Sequence, residues 1–247
     1  MIKQICISGL LVFLASSLNY GSMHDSWDGL LQKYVANGLV DYEGLKANAD
    51  DLQVLETYLS QLEKSTLTNW SRDQKLAFWI NAYNAFTIKL ILNNYPLKSI
   101  RDIKKPWKQK IWQVAGETLS LDDIEHKKLR EELKEPRIHF AIVCASIGCP
   151  DLTSKAFTVG NVEALLTERA AFFFTQKKNF YLEQKNNIVT IHLSSILKWF
   201  ADDFGKNQEE RIAFVLKYTG DADKKKIEEA EKIKIKHIKY NWSLNKK

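Results

Sequence analysis

Leu76-Ala77-Phe78-Trp79-Ile80-Asn81-Ala82-Tyr83-Asn84-Ala85-Phe86-Thr87-Ile88-Lys89-Leu90-Ile91 is apolar nearly all the way round a helix. A segment of that kind is buried on most sides rather than along one stripe. Ahead of it Ser71 and Gln74 have the spacing of a capping box, and Pro96 lies beyond its end. The stretch predicts a central buried helix around which the rest of the chain is built. Asn81 and Asn84 fall three apart on one face of it. A buried amide without partners costs about 1–3 kcal/mol. Each is therefore expected either to tie a neighbouring loop to the helix, or to orient a catalytic group or line a pocket.

Outward from that helix the patterns alternate between helices and hairpins. Asp25 or Ser26 is placed to cap a first helix carrying Trp27, Leu30, Leu31 and Tyr34, stopped at Gly38. Leu52, Leu55, Tyr58, Leu59 and Leu62 recur at helical spacing over about 50–64. Lys110 to Leu121 reads as a hairpin around Ala115-Gly116-Glu117. Ser120 then caps a helix with Asp122 and Asp123 in its first turn. Ile138 to Ser146 is a nearly continuous apolar run and predicts a buried strand. Asn161 caps a helix to about Phe174. A hairpin follows over 179–193, then short helices from Ser194 and over about 209–218, and a last strand within 232–242. The expectation is an α+β fold, a helix-rich single domain over residues 23–247 with a mainly antiparallel sheet.

Residues 1–22 read as a signal peptide. Lys3 precedes the apolar run Ile5 to Ala15, and small residues follow at Ala15, Ser16, Ser17, Gly21 and Ser22. The run is shorter than the ~20 residues of a membrane span, and no later stretch is long and apolar enough. A periplasmic or secreted protein is expected, with no transmembrane segment after the signal is removed. The formal net charge is +6, concentrated in Lys104–Lys110 and Lys224–Lys247. In an exported protein that excess fits peripheral contact with an anionic envelope surface better than nucleic acid. Nucleic acid is not an expected partner.

Of three cysteines, Cys6 lies within the signal, leaving Cys144 and Cys149 in Cys144-Ala145-Ser146-Ile147-Gly148-Cys149. An oxidising compartment permits a disulfide between them. A zinc site would need a second paired motif, which is absent from the sequence, and no phosphate loop or nucleotide fingerprint occurs. No cofactor or metal is expected. As a nucleophile Cys149 is favoured, because Pro150 suits the first turn of a helix that Cys149 would cap, lowering its pKa. Cys144, inside the strand, reads as a buried spacer. His139 opens that strand, and alternation puts it on the face opposite Cys144. Glu125-His126 supplies a carboxylate that could orient an imidazole, and a second histidine.

Phe78-Trp79-Ile80-Asn81-Ala82-Tyr83-Asn84-Ala85, Leu119 to His126, Arg137-Ile138-His139-Phe140-Ala141 and Cys144 to Pro150 resemble motifs of the domain-of-unknown-function 547 family. Val40-Asp41-Tyr42, Leu197-Lys198-Trp199-Phe200 with Asp203-Phe204, and Tyr240 to Asn245 are also similar to it. The resemblance implies a papain- or transglutaminase-like relationship. Its Cys, His and Glu cluster would map to Cys144 or Cys149, to His139 or His126, and to Glu125. Two functions are then expected as alternatives. One is a cysteine-dependent hydrolase or acyl-transfer enzyme acting on an amide in the cell envelope, with Asn81 or Asn84 donating to the oxyanion. The other is a non-catalytic envelope module whose cysteines are buried or bridged.

Overall fold

The computed structural model describes residues 20–247, with side chains from residue 23. Of the expected signal peptide, residues 1–19 lie outside the described residues, and 20–22 open the first helix. Helices α1 (Tyr20–Tyr34), α2 (Tyr42–Ala47) and α3 (Ala49–Lys64) lead to the long α4 (Arg72–Asn94). Every residue from Leu76 to Ile88 is buried in α4. Both bonds of the Ser71–Gln74 capping box are made. The α+β class and the central buried helix hold.

The first helix starts at Tyr20, so Asp25 and Ser26 lie inside it rather than at its cap. Between α1 and α2, β1 (Val35–Ala36) and β2 (Leu39–Val40) form a minimal hairpin. Its turn, Asn37-Gly38, has φ of 52° and 77°, the Asn-Gly chemistry of a primed turn. Strands β3 (Trp112–Val114) and β4 (Glu117–Leu119) turn in the same way at Ala115-Gly116.

Ser120 caps α5 (Leu121–Asp123), which runs on as a π-helix over Ile124–Glu132. After α6 (Val162–Thr175) come β5 (Phe180–Lys185) and β6 (Ile188–Ser194). Then follow α7 (Ile196–Trp199), α8 (Ala201–Phe204), α9 (Gln208–Leu216), α10 (Asp221–Glu228) and β7 (Lys232–Ile238). In this largest sheet β5 pairs antiparallel with β6, and β7 joins β6 in parallel. Lys232, Lys234 and Lys236 alternate on the exposed side of β7, where charge discourages further strand pairing. Among the described residues no helix is long and apolar enough to cross a membrane.

The buried strand expected over 138–146 is not formed. Pro136–Phe140 is a short 3-10 helix, and irregular chain follows. Two causes are visible. Asn84 takes the ladder partners a strand would use, its Nδ2 donating to Ala141 O (3.0 Å) and its Oδ1 accepting from Val143 N (2.9 Å). Ala145 then turns into the left-handed region at φ 57°, which a regular strand cannot accommodate. No helix begins at Pro150 either; the next is α6.

Two hydrophobic clusters fill the interior. The larger surrounds α4, and the smaller lies between α6, the β5–β6–β7 sheet and α9. Tyr240 packs against both. The segment after β7 then returns across the cysteine loop. Ile147 N donates to Ser243 O (2.8 Å), Gly148 N to Asn241 O (2.8 Å), and Asn245 N to Ala145 O (3.1 Å). A Cβ on Gly148 would stand 2.8 Å from Asn241 N and 2.9 Å from the Tyr240 ring. Only glycine lets these two segments approach so closely.

Candidate functional site

A cavity of about 200 Å³ opens where the π-helix, the 3-10 helix, the cysteine loop, α7 and the segment after β7 meet. Glu125, His126, His139, Cys144 and Cys149 all line it. Because 136–146 is not a strand, the expected separation of His139 and Cys144 onto opposite faces does not arise. Asn81 and Asn84 do not line the cavity. Asn81 Nδ2 donates to Phe157 O (2.6 Å) and Asn81 Oδ1 accepts from Phe157 N (3.0 Å). Both asparagines thus hold loops to α4, and Asn84 holds the one that leads into Cys144.

The buried His139 imidazole is fixed by a residue the sequence reading gave no role. Its Nε2 lies 2.7 Å from Asp203 Oδ2. Asp203 also accepts from Arg130, at 2.5 Å from Nε and 2.8 Å from Nη2. Burial opposes ionisation of Asp203, but the hydrogen bonds from His139 and Arg130 hold its carboxyl well below the usual range. An ionised carboxylate only accepts, so Nε2 of His139 carries the proton and donates it. Burial in turn lowers the His139 pKa, with Asp203 working the other way. The neutral ring therefore has a lone pair on Nδ1. Phe200 stacks on the ring at 4.1 Å between centroids.

Glu125 stands on the Nδ1 side, its Oε1 3.8 Å away, too far for a hydrogen bond. The orienting contact expected of Glu125 is made instead by Asp203. Burial pushes the Glu125 carboxyl up to about 7, with Arg130 opposing and Asp122 and Cys149 adding to the rise. Tyr83 Oη lies 3.4 Å from its Oε2. His126 pairs through Nδ1 with Arg130 Nη1 at 2.6 Å.

Both cysteines are free. Tyr240 Oη is 2.9 Å from Cys149 Sγ and 3.2 Å from Cys144 Sγ, and Cys144 N donates to Cys149 Sγ at 3.0 Å. Burial works to raise the Cys149 pKa, but donors from Cys144, Tyr240 and the backbone outweigh it and bring the thiol to about 7. Cys144 is pushed up, first by sharing its proton with Cys149 and then by burial. The low pKa expected of Cys149 thus has a different cause from the helix N-terminus foreseen. The exposures are also reversed: Cys149 is only 3% exposed, and Cys144 is half-buried. Among the described residues neither thiol is hydrogen-bonded to a histidine.

Asp203, Tyr240 and Arg130 complete the site. Asp203-Phe204 and Tyr240-Asn241-Trp242 stood out as family-like stretches, which was the signal available for the first two; nothing marked Arg130. Residues 67–174 match the family described as "Protein of unknown function, DUF547". The match supports the resemblance that the motifs carry. The matched region contains α4, Glu125, His139 and both cysteines; Asp203 and Tyr240 fall outside it. No curated protein and no solved structure matches the chain.

Proposed function

We propose that the chain is an exported cysteine-dependent acyl-transfer enzyme or hydrolase acting on an amide in the cell envelope. The observation that carries this reading is one cavity lined by two thiols, Glu125 and a neutral imidazole whose Nε2 proton is committed to Asp203. Cys149 is the nucleophile. Its S–H proton passes to Nδ1 of His139, directly or through one water, and the sulfur attacks the amide carbon. The C–N bond breaks, the amine leaves with the proton returned from Nδ1, and a thioester remains. Water or a second amine then releases the acyl group. Tyr240 and Cys144 hold the thiolate by hydrogen bonds before attack.

A second reading, the non-catalytic envelope module, draws on the burial of Cys149 and on the structural use of both asparagines. Iodoacetamide labelling of the folded, unreduced protein separates the two. The enzyme reading expects Cys149 to label first, with a rate midpoint below the ~8.5 of an ordinary thiol that changes in His139→Ala. Labelling at Cys144 alone moves the nucleophile to Cys144. A protein that labels only after denaturation, or only after reduction, belongs to the second reading. For export, N-terminal sequencing from the envelope fraction should place the mature start between Ala15 and His24. An intact Met1 there would remove this part of the reading.

A further inference from the structure

The chain carries 36 Lys and Arg residues and a net charge of +6. Yet among the described residues no lysine or arginine lines the catalytic cavity, whereas Asp122 and Glu125 do. Its mouth is aromatic. Tyr240 and Trp242 lie 4.5 Å apart between ring centroids, Trp199 and Tyr240 4.9 Å, and Trp242 is 5.8 Å from both Trp107 and Trp199. Trp199 is 49% exposed at this rim, a large apolar surface beside Tyr240 and Trp242.

Ring faces are the negative side of an aromatic quadrupole, and several of them beside carboxylates form a cation-binding surface. Arg101 already sits 5.4 Å from the Trp242 ring, so one ring of the cluster takes a cation within the fold. A cavity of about 200 Å³ is below the ~300–1,000 Å³ of sites that hold drug-sized ligands. It suits one unbranched chain with a charged end. An anionic ligand would meet two carboxylates there. A purely apolar one would leave Asp122 and Glu125 without use.

We propose that this cavity binds a primary alkylammonium group, with the aliphatic stem along the ring walls and the ammonium toward Asp122 and Glu125. It rests on the proposed acyl-transfer reading for one consequence: the amide acted on has a primary alkylamine, such as a lysine-type side chain, as its nitrogen half. Cleavage of that C–N bond leaves the amine, protonated at neutral pH, in the subsite. In the transfer direction the same subsite presents the deprotonated amine to the thioester.

The test uses three probes of one chain length, pentylamine, 1-pentanol and pentanoate, titrated at pH 7 against tryptophan fluorescence. It is run on the full protein and on Cys149→Ser, which binds without chemistry. Pentylamine is expected to bind at least about tenfold more tightly than pentanol, and pentanoate not measurably. Asp122→Asn should weaken pentylamine by about tenfold and leave pentanol unchanged, and Trp199→Ala, at an exposed position, should weaken both. Equal affinities for pentylamine and pentanol, or no effect of Asp122→Asn, overturn the inference. Thiol labelling on the same samples keeps the two readings apart. Selective pentylamine binding with an unreactive Cys149 removes the enzyme and keeps the subsite. A reactive Cys149 without selective binding does the opposite.

Discussion

His139 and Asp203, sixty-four residues apart in the chain, are joined by a 2.7 Å hydrogen bond between Nε2 and Oδ2. The bond sets which ring nitrogen holds the proton, and with it which nitrogen can take one from a thiol. Asp203→Asn keeps the shape and removes the charge. The 15N shifts of His139 should then show loss of the single Nε2–H tautomer, and thiol labelling should lose its dependence on His139. Arg130 is left short of its partner in a half-buried position, so urea unfolding should report a loss of about 1–3 kcal/mol, discounted for solvent screening. An unchanged tautomer would show that Asp203 does not orient the ring.

Glu125 makes stability depend on pH in a direction opposite to most carboxylates. Its folded pKa is about 7 against an ordinary 4.5, so the native state binds the proton more tightly than the unfolded one. The contribution is fully present below about 4.5 and is lost as pH rises through about 7. Relative to Glu125→Gln, the protein should lose up to about 3 kcal/mol between pH 4.5 and 8, at about 1.4 kcal/mol per pKa unit. Parallel stability curves for the two proteins would place Glu125 in contact with water.

Tyr240→Phe removes a donor from the Cys149 sulfur while keeping the ring. A hydrogen bond to a charged group is worth about 1.5–3 kcal/mol, so the labelling midpoint of Cys149 should rise by about one to two units. Gly148→Ala reaches the same environment by another route. Its Cβ would meet Asn241 N and the Tyr240 ring within 3 Å, so it should raise the midpoint and destabilise together. A midpoint unmoved in both variants means the phenol does not tune the thiol.

Asn84→Leu should cost about 3 kcal/mol, because it strands the buried Ala141 carbonyl and Val143 N–H at about 1–3 kcal/mol each. For a chain of this size that lowers Tm by roughly 6–12 °C. A melting curve within 2 °C of the parent would show that the loop finds other partners, with the ~2–4 °C per kcal/mol scaling setting that limit.

The helices and hairpins were legible because their signals are local. A capping box at Ser71–Gln74, Ala115-Gly116 between β-forming runs, and an all-round apolar stretch need no knowledge of the rest of the chain. The run 138–146 misled for the complementary reason. Its apolarity records burial, and burial against α4 is met there by loop. What makes it a loop is the Asn84 side chain, some sixty residues earlier. The candidate site divides the same way. His139, Glu125 and the cysteines could be named from residue type and resemblance. Asp203 as the ring's partner, and Tyr240 as the thiols', come from folding distant segments together and leave no spacing to read.

The return of residues 240–245 over the cysteine loop has a consequence for when the thiols become unusual. Tyr240 follows Cys149 by 91 residues in the chain, and the backbone bonds at Ile147 and Gly148 come from the same late segment. A nascent or clipped chain that stops short of it contains two ordinary cysteines on an unclasped loop, slow toward electrophiles at neutral pH. Because the Tyr240 donor that helps lower the Cys149 pKa arrives only with docking, the proposed thiol reactivity would report completed tertiary structure rather than the mere presence of the motif.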